Sequence, residues 1–270
     1  MVNSSILSRP SPAADARIFY GDDLFSFGDL RLPHRAGPHP IVVVIHGGFW
    51  RSQYDLQHIG PLCAALTAND IATWSIEYRR LGNPGGGYPG TFLDVATAVN
   101  NLRETAPRYN LDLNRVVVMG HSAGGHLALW YAALNRVPHD SPIHIENPLT
   151  LRGVISLAGV SDLRFASELK LSSGVTNELI GGSPREYPER YAAASPIELV
   201  PLSVRQFLLH GTADENVPFE MSQRYHDAAR AQGDEVTLIR FSETGHFELI
   251  DPESHVWNRL LETVMNVLGA

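Results

Sequence analysis

One cysteine, Cys63, stands among 270 residues, so an internal disulfide framework is excluded. Its setting, Pro-Leu-Cys-Ala-Ala-Leu, is that of a small apolar residue on the buried face of a helix, not of a reactive thiol. Long hydrophobic runs are missing as well. The longest, at 41–45 and 207–209, are strand-sized and far short of the roughly 20 residues that a membrane-spanning helix needs. Positive charge is the scarcer sign, with 21 Lys and Arg against 29 Asp and Glu and a formal net charge of -8. No basic cluster breaks that balance, which argues against nucleic acid and anionic membrane surfaces as partners. Residues 1–17 lack the charged start and apolar stretch of a secretory signal, so a cytoplasmic location is expected. Zinc-ligand spacing and dinucleotide fingerprints are lacking, and Gly85-Gly86-Gly87 has no Lys-Ser/Thr ending to hold a phosphate, so neither a metal nor an organic cofactor is expected.

What is present is a chain 44% hydrophobic, long enough for one large core, and it reads as a single domain over 1–270. Short runs rich in β-branched residues, at 41–45, 71–78, 115–120, 153–158, 206–210 and 235–241, alternate with helical spacing at 57–69, 91–105, 124–134, 220–231 and 253–268. That alternation predicts an α/β fold with a mostly parallel sheet covered by helices on both faces. Two shorter strands at 16–20 and 24–32 predict an antiparallel start. The stretch 163–202 is longer than one crossover helix requires, and is expected to form a small lid or a wall of the pocket.

After the strand at 115–120 comes Gly120-His121-Ser122-Ala123-Gly124-Gly125, leading into a helix. This strand, G-x-S-x-G turn and helix form the setting in which a serine is held on a strained elbow with its hydroxyl lifted out of the sheet, which makes Ser122 the candidate nucleophile. The strand at 41–45 ends in His46-Gly47-Gly48-Phe49-Trp50, where two glycines let N–H groups converge, so Gly48, Phe49 and Ala123 are the expected oxyanion donors. His46 is expected to brace that loop. Phe49 and Trp50 are expected to wall the pocket. His121 and His126 flank the serine and read as structural, with His121 also bordering the substrate from the elbow. Serine, acid and base should follow in that order along the chain. Asp214, after the strand at 206–210, and His246, after the strand at 235–241, satisfy the order; Glu215 and Asp162 are rivals for the acid. His210 and His255 are not expected to serve Ser122.

With these loops in view, the chain resembles the α/β-hydrolase superfamily over nearly its whole length. Within it, the chain is similar to the small esterases that include kynurenine formamidases and feruloyl or acetyl esterase-like proteins. The resemblance is carried by His46-Gly47-Gly48-Phe49-Trp50, Gly120-His121-Ser122-Ala123-Gly124-Gly125 and Gly245-His246-Phe247-Glu248, and by the loop and helix start from Tyr78-Arg79 to Asp94, where Asp94 looks structural. It implies the α/β-hydrolase fold with about eight strands, and acyl transfer from a small-molecule ester or amide through a serine ester, without metal or cofactor. Carboxylesterase action leads, and arylformamidase action is the alternative. A carboxylate-bearing formamide would want a cation such as Arg164 or Lys170. A peptidase would lack its filtering domain, and a non-catalytic receptor would have no need of all three residues. Monomer and homodimer both stay open.

Overall fold

The computed structural model describes residues 5–269; the extreme ends of the 1–270 span read above lie outside the described residues. Among the described residues, eight strands form one sheet: β1 (Ala16–Phe19), β2 (Phe27–Arg31), β3 (His39–Ile45), β4 (Ala72–Ile76), β5 (Leu111–His121), β6 (Gly153–Leu157), β7 (Gln206–Gly211) and β8 (Val236–Phe241), in the spatial order β1-β2-β4-β3-β5-β6-β7-β8. β1 and β2 are antiparallel to their neighbours, and every pairing from β4 to β8 is parallel. The two-sided burial behind the apolar runs is explicit. Ile41, Val43 and Ile45 of β3 join one core with Val116 and Val118 of β5, while Val42, Val44, Val117 and Met119 point into a second core on the opposite face.

The helices divide accordingly. α1 (Gly60–Ala68) and α9 (Trp257–Leu268) cover the second face, whereas α2 (Gly90–Asn100), α3 (Leu102–Tyr109), α4 (Ala123–Ala132) and α8 (Glu220–Ala231) cover the first. The periodicity of α9 shows why it packs there: Leu260, Val264, Val267 and Leu268 recur at helical spacing on one buried face. Two expected helices are subdivided. The stretch 57–69 opens as a 3-10 turn, Leu56–Ile59, capped by Asp55, and becomes α-helical at Gly60 and Pro61, where the proline has no N–H to continue the preceding ladder. The stretch 91–105 breaks at Asn101, whose side-chain oxygen accepts from Thr105, and the second piece runs on to Tyr109. The insertion at 163–202 folds into α5 (Leu163–Glu168), α6 (Leu171–Ile180) and α7 (Pro188–Ala194). Asp162 caps α5 by accepting from the Phe165 N–H at 3.0 Å, and it pairs with Arg224 at 3.1 Å.

His126, fully buried on α4, donates from Nε2 to the Ala194 carbonyl at 2.9 Å and meets the rings of Trp50 and Phe92 edge-on. Burial pushes its pKa down to about 4. In the unfolded chain the same group titrates near its ordinary value of about 6.5, so between the two values the unfolded chain holds a proton that the folded chain does not. The stabilisation is therefore complete above about pH 6.5 and lost as the pH falls toward 4, at up to about 1.4 kcal/mol per pH unit. Urea unfolding across this window should show a pH slope shallower by about one proton in His126→Gln than in the native protein; equal slopes would refute the assignment.

Candidate active site

β5 ends at His121, α4 begins at Ala123, and between them Ser122 has φ 57 and ψ -118. A side chain in that region costs on the order of 1 kcal/mol or more, and it persists only where the surroundings over-determine it. Here they do. The Ser122 N–H donates to the Leu157 carbonyl of β6 at 2.8 Å, and its carbonyl accepts from His126 at 3.1 Å. The flanking glycines are obligatory for a steric reason: a Cβ on Gly120 would lie 2.0 Å from the Gly124 oxygen, and one on Gly124 would lie 2.1 Å from the Ile45 oxygen.

The loop after β3 is held in a strained shape as well, with Gly48 at φ 107, Phe49 at φ 49 and Trp50 at φ 55. Among the described residues, no oxygen accepts from the N–H groups of Gly48, Phe49 or Ala123. Three donors, one at the start of α4, are thus uncommitted around the Ser122 turn, an arrangement suited to a developing anion. Sequence reading missed the platform beneath them. Glu77, buried just past β4, accepts from His46 Nε2 at 2.9 Å, from the Tyr78 N–H at 3.0 Å and from the Leu56 N–H at 3.2 Å, and it pairs with Arg80 at 3.2 Å. Tyr78 stacks on the His46 ring and donates its hydroxyl to the His46 carbonyl at 2.9 Å. Burial alone would raise the Glu77 pKa, but His46 and Arg80 outweigh it and hold the carboxyl below its ordinary value. The expected bracing by His46 is seen; a charged residue closing an otherwise apolar strand was the signal for its partner.

Asp214 and His246 meet across the loops after β7 and β8, with His246 Nδ1 2.6 Å from Asp214 Oδ2. Because that nitrogen donates to the carboxylate, Nε2 of the neutral ring is left as an acceptor. The Asp214 side chain is fully buried, and its Oδ1 accepts from the N–H groups of Asn216 and Val217, each at 2.9 Å. His210 stands 3.3 Å from Oδ2, a contact absent from the sequence reading although the two residues are four apart. Burial would raise the Asp214 pKa, yet hydrogen bonds from His210 and His246 and the positive charge available on His246 drive it well below the carboxylate range. The rival Glu215 is exposed, Asp162 is committed to α5, and His255 bonds Thr244.

Ser122 and His246 open into one cavity of about 380 Å³, counting its mouth, whose walls include Gly48, Phe49, Tyr54, His58, His121, Asn216 and Phe247. Among the described residues, none of its lining side chains is an Asp, Glu, Lys or Arg. His58 is buried, and burial beside His46 pushes its pKa down to about 3, so it is a neutral polar group there. His121 lines the cavity too, with its Nε2 donating to the His246 carbonyl at 3.0 Å. Two expectations need correction. Trp50 is 1% exposed and packs on His126 in the core, because the left-handed backbone at 49 and 50 turns its ring inward; it does not wall the cavity. The 163–202 insertion also contributes no lining residue, since Leu163, Val175, Leu179 and Tyr191 are spent in the main core. Arg164 pairs with Glu198, and Lys170 is exposed at the start of α6. Asp94 pairs with Arg79 and is structural, as read.

Residues 29–228 match the BD-FAE family. The chain belongs to that family. It is 27% identical over 248 residues to the esterase LipC of Mycobacterium tuberculosis, covering 87% of this chain and 60% of that protein. Over a shorter stretch of 111 residues, 41% of this chain and 39% of the relative, it is 32% identical to a kynurenine formamidase of Meyerozyma guilliermondii. The fold is that of a carbohydrate esterase from gut microbiota, solved in truncated form, with a TM-score of 0.83 at 21% identity over 97% of this chain and 98% of that one. The BD-FAE chain thus has the α/β-hydrolase fold, and it spans about three fifths of the length of LipC. Among the described residues, no helix is long and apolar enough to cross a membrane.

Glu77→Gln in this BD-FAE chain would replace an acceptor by a donor facing N–H groups and leave Arg80 without its buried counter-charge. The expected loss is about 3 kcal/mol of stability, measured by urea unfolding, and an unchanged midpoint would show that Glu77 is not the brace of the loop.

Proposed function

We propose that this protein is a serine hydrolase of small, uncharged carboxylic esters. The observation that carries the reading is the sharing of one charge-free cavity by Ser122, on its strained turn, and His246, whose ring is oriented by Asp214. The activity in LipC's name and the BD-FAE membership support the same class.

In this reading Ser122 Oγ attacks the ester carbonyl carbon while His246 Nε2 takes the hydroxyl proton, and Asp214 stabilises the resulting imidazolium. The carbonyl oxygen becomes an oxyanion and accepts from Gly48, Phe49 and Ala123. Collapse of the tetrahedral species expels the alcohol, which receives the proton from His246 and leaves an acyl group on Ser122. Water then attacks that acyl ester, giving its proton to His246 and releasing the carboxylic acid as Ser122 recovers its hydrogen. The absence of a cation from the cavity walls disfavours N-formylkynurenine, whose amino-acid carboxylate would be left without a partner there.

Hydrolysis of p-nitrophenyl acetate, butyrate and octanoate, run beside N-formylkynurenine, tests the proposal. Ester turnover should fall by about 10⁴-fold or more in Ser122→Ala and by a comparable factor in Asp214→Asn. A kcat/KM for N-formylkynurenine above that of every ester would transfer the assignment to formamide hydrolysis. Retention of ester turnover by Ser122→Ala would end the nucleophile assignment.

A further inference from the structure

The wall that the insertion was expected to supply comes from the other end of the chain. Among the described residues, Leu7 is the exposed large apolar side chain that also lines the Ser122 cavity; Phe19, Leu24, Leu169 and Met265 are exposed elsewhere. Leu7 is carried by a 3-10 turn, Ser5–Ser8, and that turn is fastened on several sides. Its neighbour Ile6 is 1% exposed and belongs to the core that contains Ile59 and Leu62, beside α1, and Leu249 and Ile250, just after His246. Arg9 grips Asp251 with two parallel hydrogen bonds of 2.9 and 3.1 Å, the fork geometry that makes such a pair directional. Further along, Ser11 presses on the start of α1, where a Cβ on Gly60 would lie 1.9 Å from its Oγ, and the Pro12 carbonyl accepts from Arg31 at 2.7 Å. The segment is therefore a strap bound to the turn after His246, to α1 and to β2.

We infer that Leu7 is a specificity-determining residue: it closes the apolar side of the cavity, opposite no charged group, and sets the length of substrate chain that fits beside Ser122. Phe49 and Phe247 line the same cavity, so a few methylenes would be sheltered among these apolar side chains and a longer chain would meet the leucine. Arg9 acts through Leu7 by holding the strap. The inference rests on the ester-hydrolase reading above, and its test separates the two.

The kcat/KM values of p-nitrophenyl acetate and octanoate, and of ethyl and octyl acetate, should be compared in the native protein, Leu7→Ala, Leu7→Trp and Arg9→Ala; the first series varies the acyl half and the second the alcohol half. In at least one series the long-to-short ratio should rise roughly fifteenfold in Leu7→Ala, the worth of two more sheltered methylenes at about fourfold each. The ratio should fall in Leu7→Trp and move with Leu7→Ala in Arg9→Ala. Ratios within about twofold of native in both series for both Leu7 variants overturn the inference while leaving the hydrolase reading intact. If the native protein cleaves no ester, that reading fails, and the wall is tested without chemistry by calorimetric titration with 1-butanol and 1-octanol. A gain of roughly tenfold in octanol affinity relative to butanol in Leu7→Ala supports the wall, and equal preference in the two proteins overturns it.

Discussion

Everything at the site hangs on the contact between Gly120, Gly124 and the end of β3. Backbone there passes backbone with no room for a methyl group, and this closeness lets a strand reverse into a helix within one residue. Ser122 takes the strained conformation because the sheet, through Leu157, and the helix, through His126, both hold it. The start of α4 is thereby brought against the loop that follows Ile45, so the elbow and the loop of Gly48 share a geometry. The Glu77 platform then supports that loop from beneath, with a buried carboxylate tying His46, Leu56, Tyr78 and Arg80 together.

Much of this was legible in the residues because the determinants are local. Apolar runs announce doubly buried strands, and the glycines of the elbow, the pair Gly47-Gly48 and the loops of Asp214 and His246 each carry their meaning within a few positions. The order along β3, with odd residues entering one core and even residues the other, follows from strand geometry alone. What escaped notice depends on meetings between distant segments. Glu77 reaches His46 across 31 positions, and no local pattern tells a buried brace from a surface carboxylate. Adjacent in sequence, Phe49 lines the cavity while Trp50 is buried against His126, and the positive φ at both residues is not legible from the letters alone.

The insertion was misjudged for a related reason. Its length fits a lid, yet apolar side chains of it satisfy the main core, and some of its polar ones pair within it, as Arg164 does with Glu198. Arg51, next to the strained loop, pairs with Glu178 of α6, so the insertion touches the site's surroundings through an ion pair and not through the cavity wall. The strap around Leu7 was invisible because a Ser- and Pro-rich start has no periodicity from which to read a role.

Ser122, Asp214 and His246 follow β5, β7 and β8, strands far apart in the chain, with β6 lying between β5 and β7 in the sheet. Pairings of such long sequence separation form late and carry a large loop-closure cost. A partly folded chain could therefore hold nearly all of its helices and still have Ser122, Asp214 and His246 apart, so their meeting marks the pairing of β5 through β8 and not the collapse of the chain.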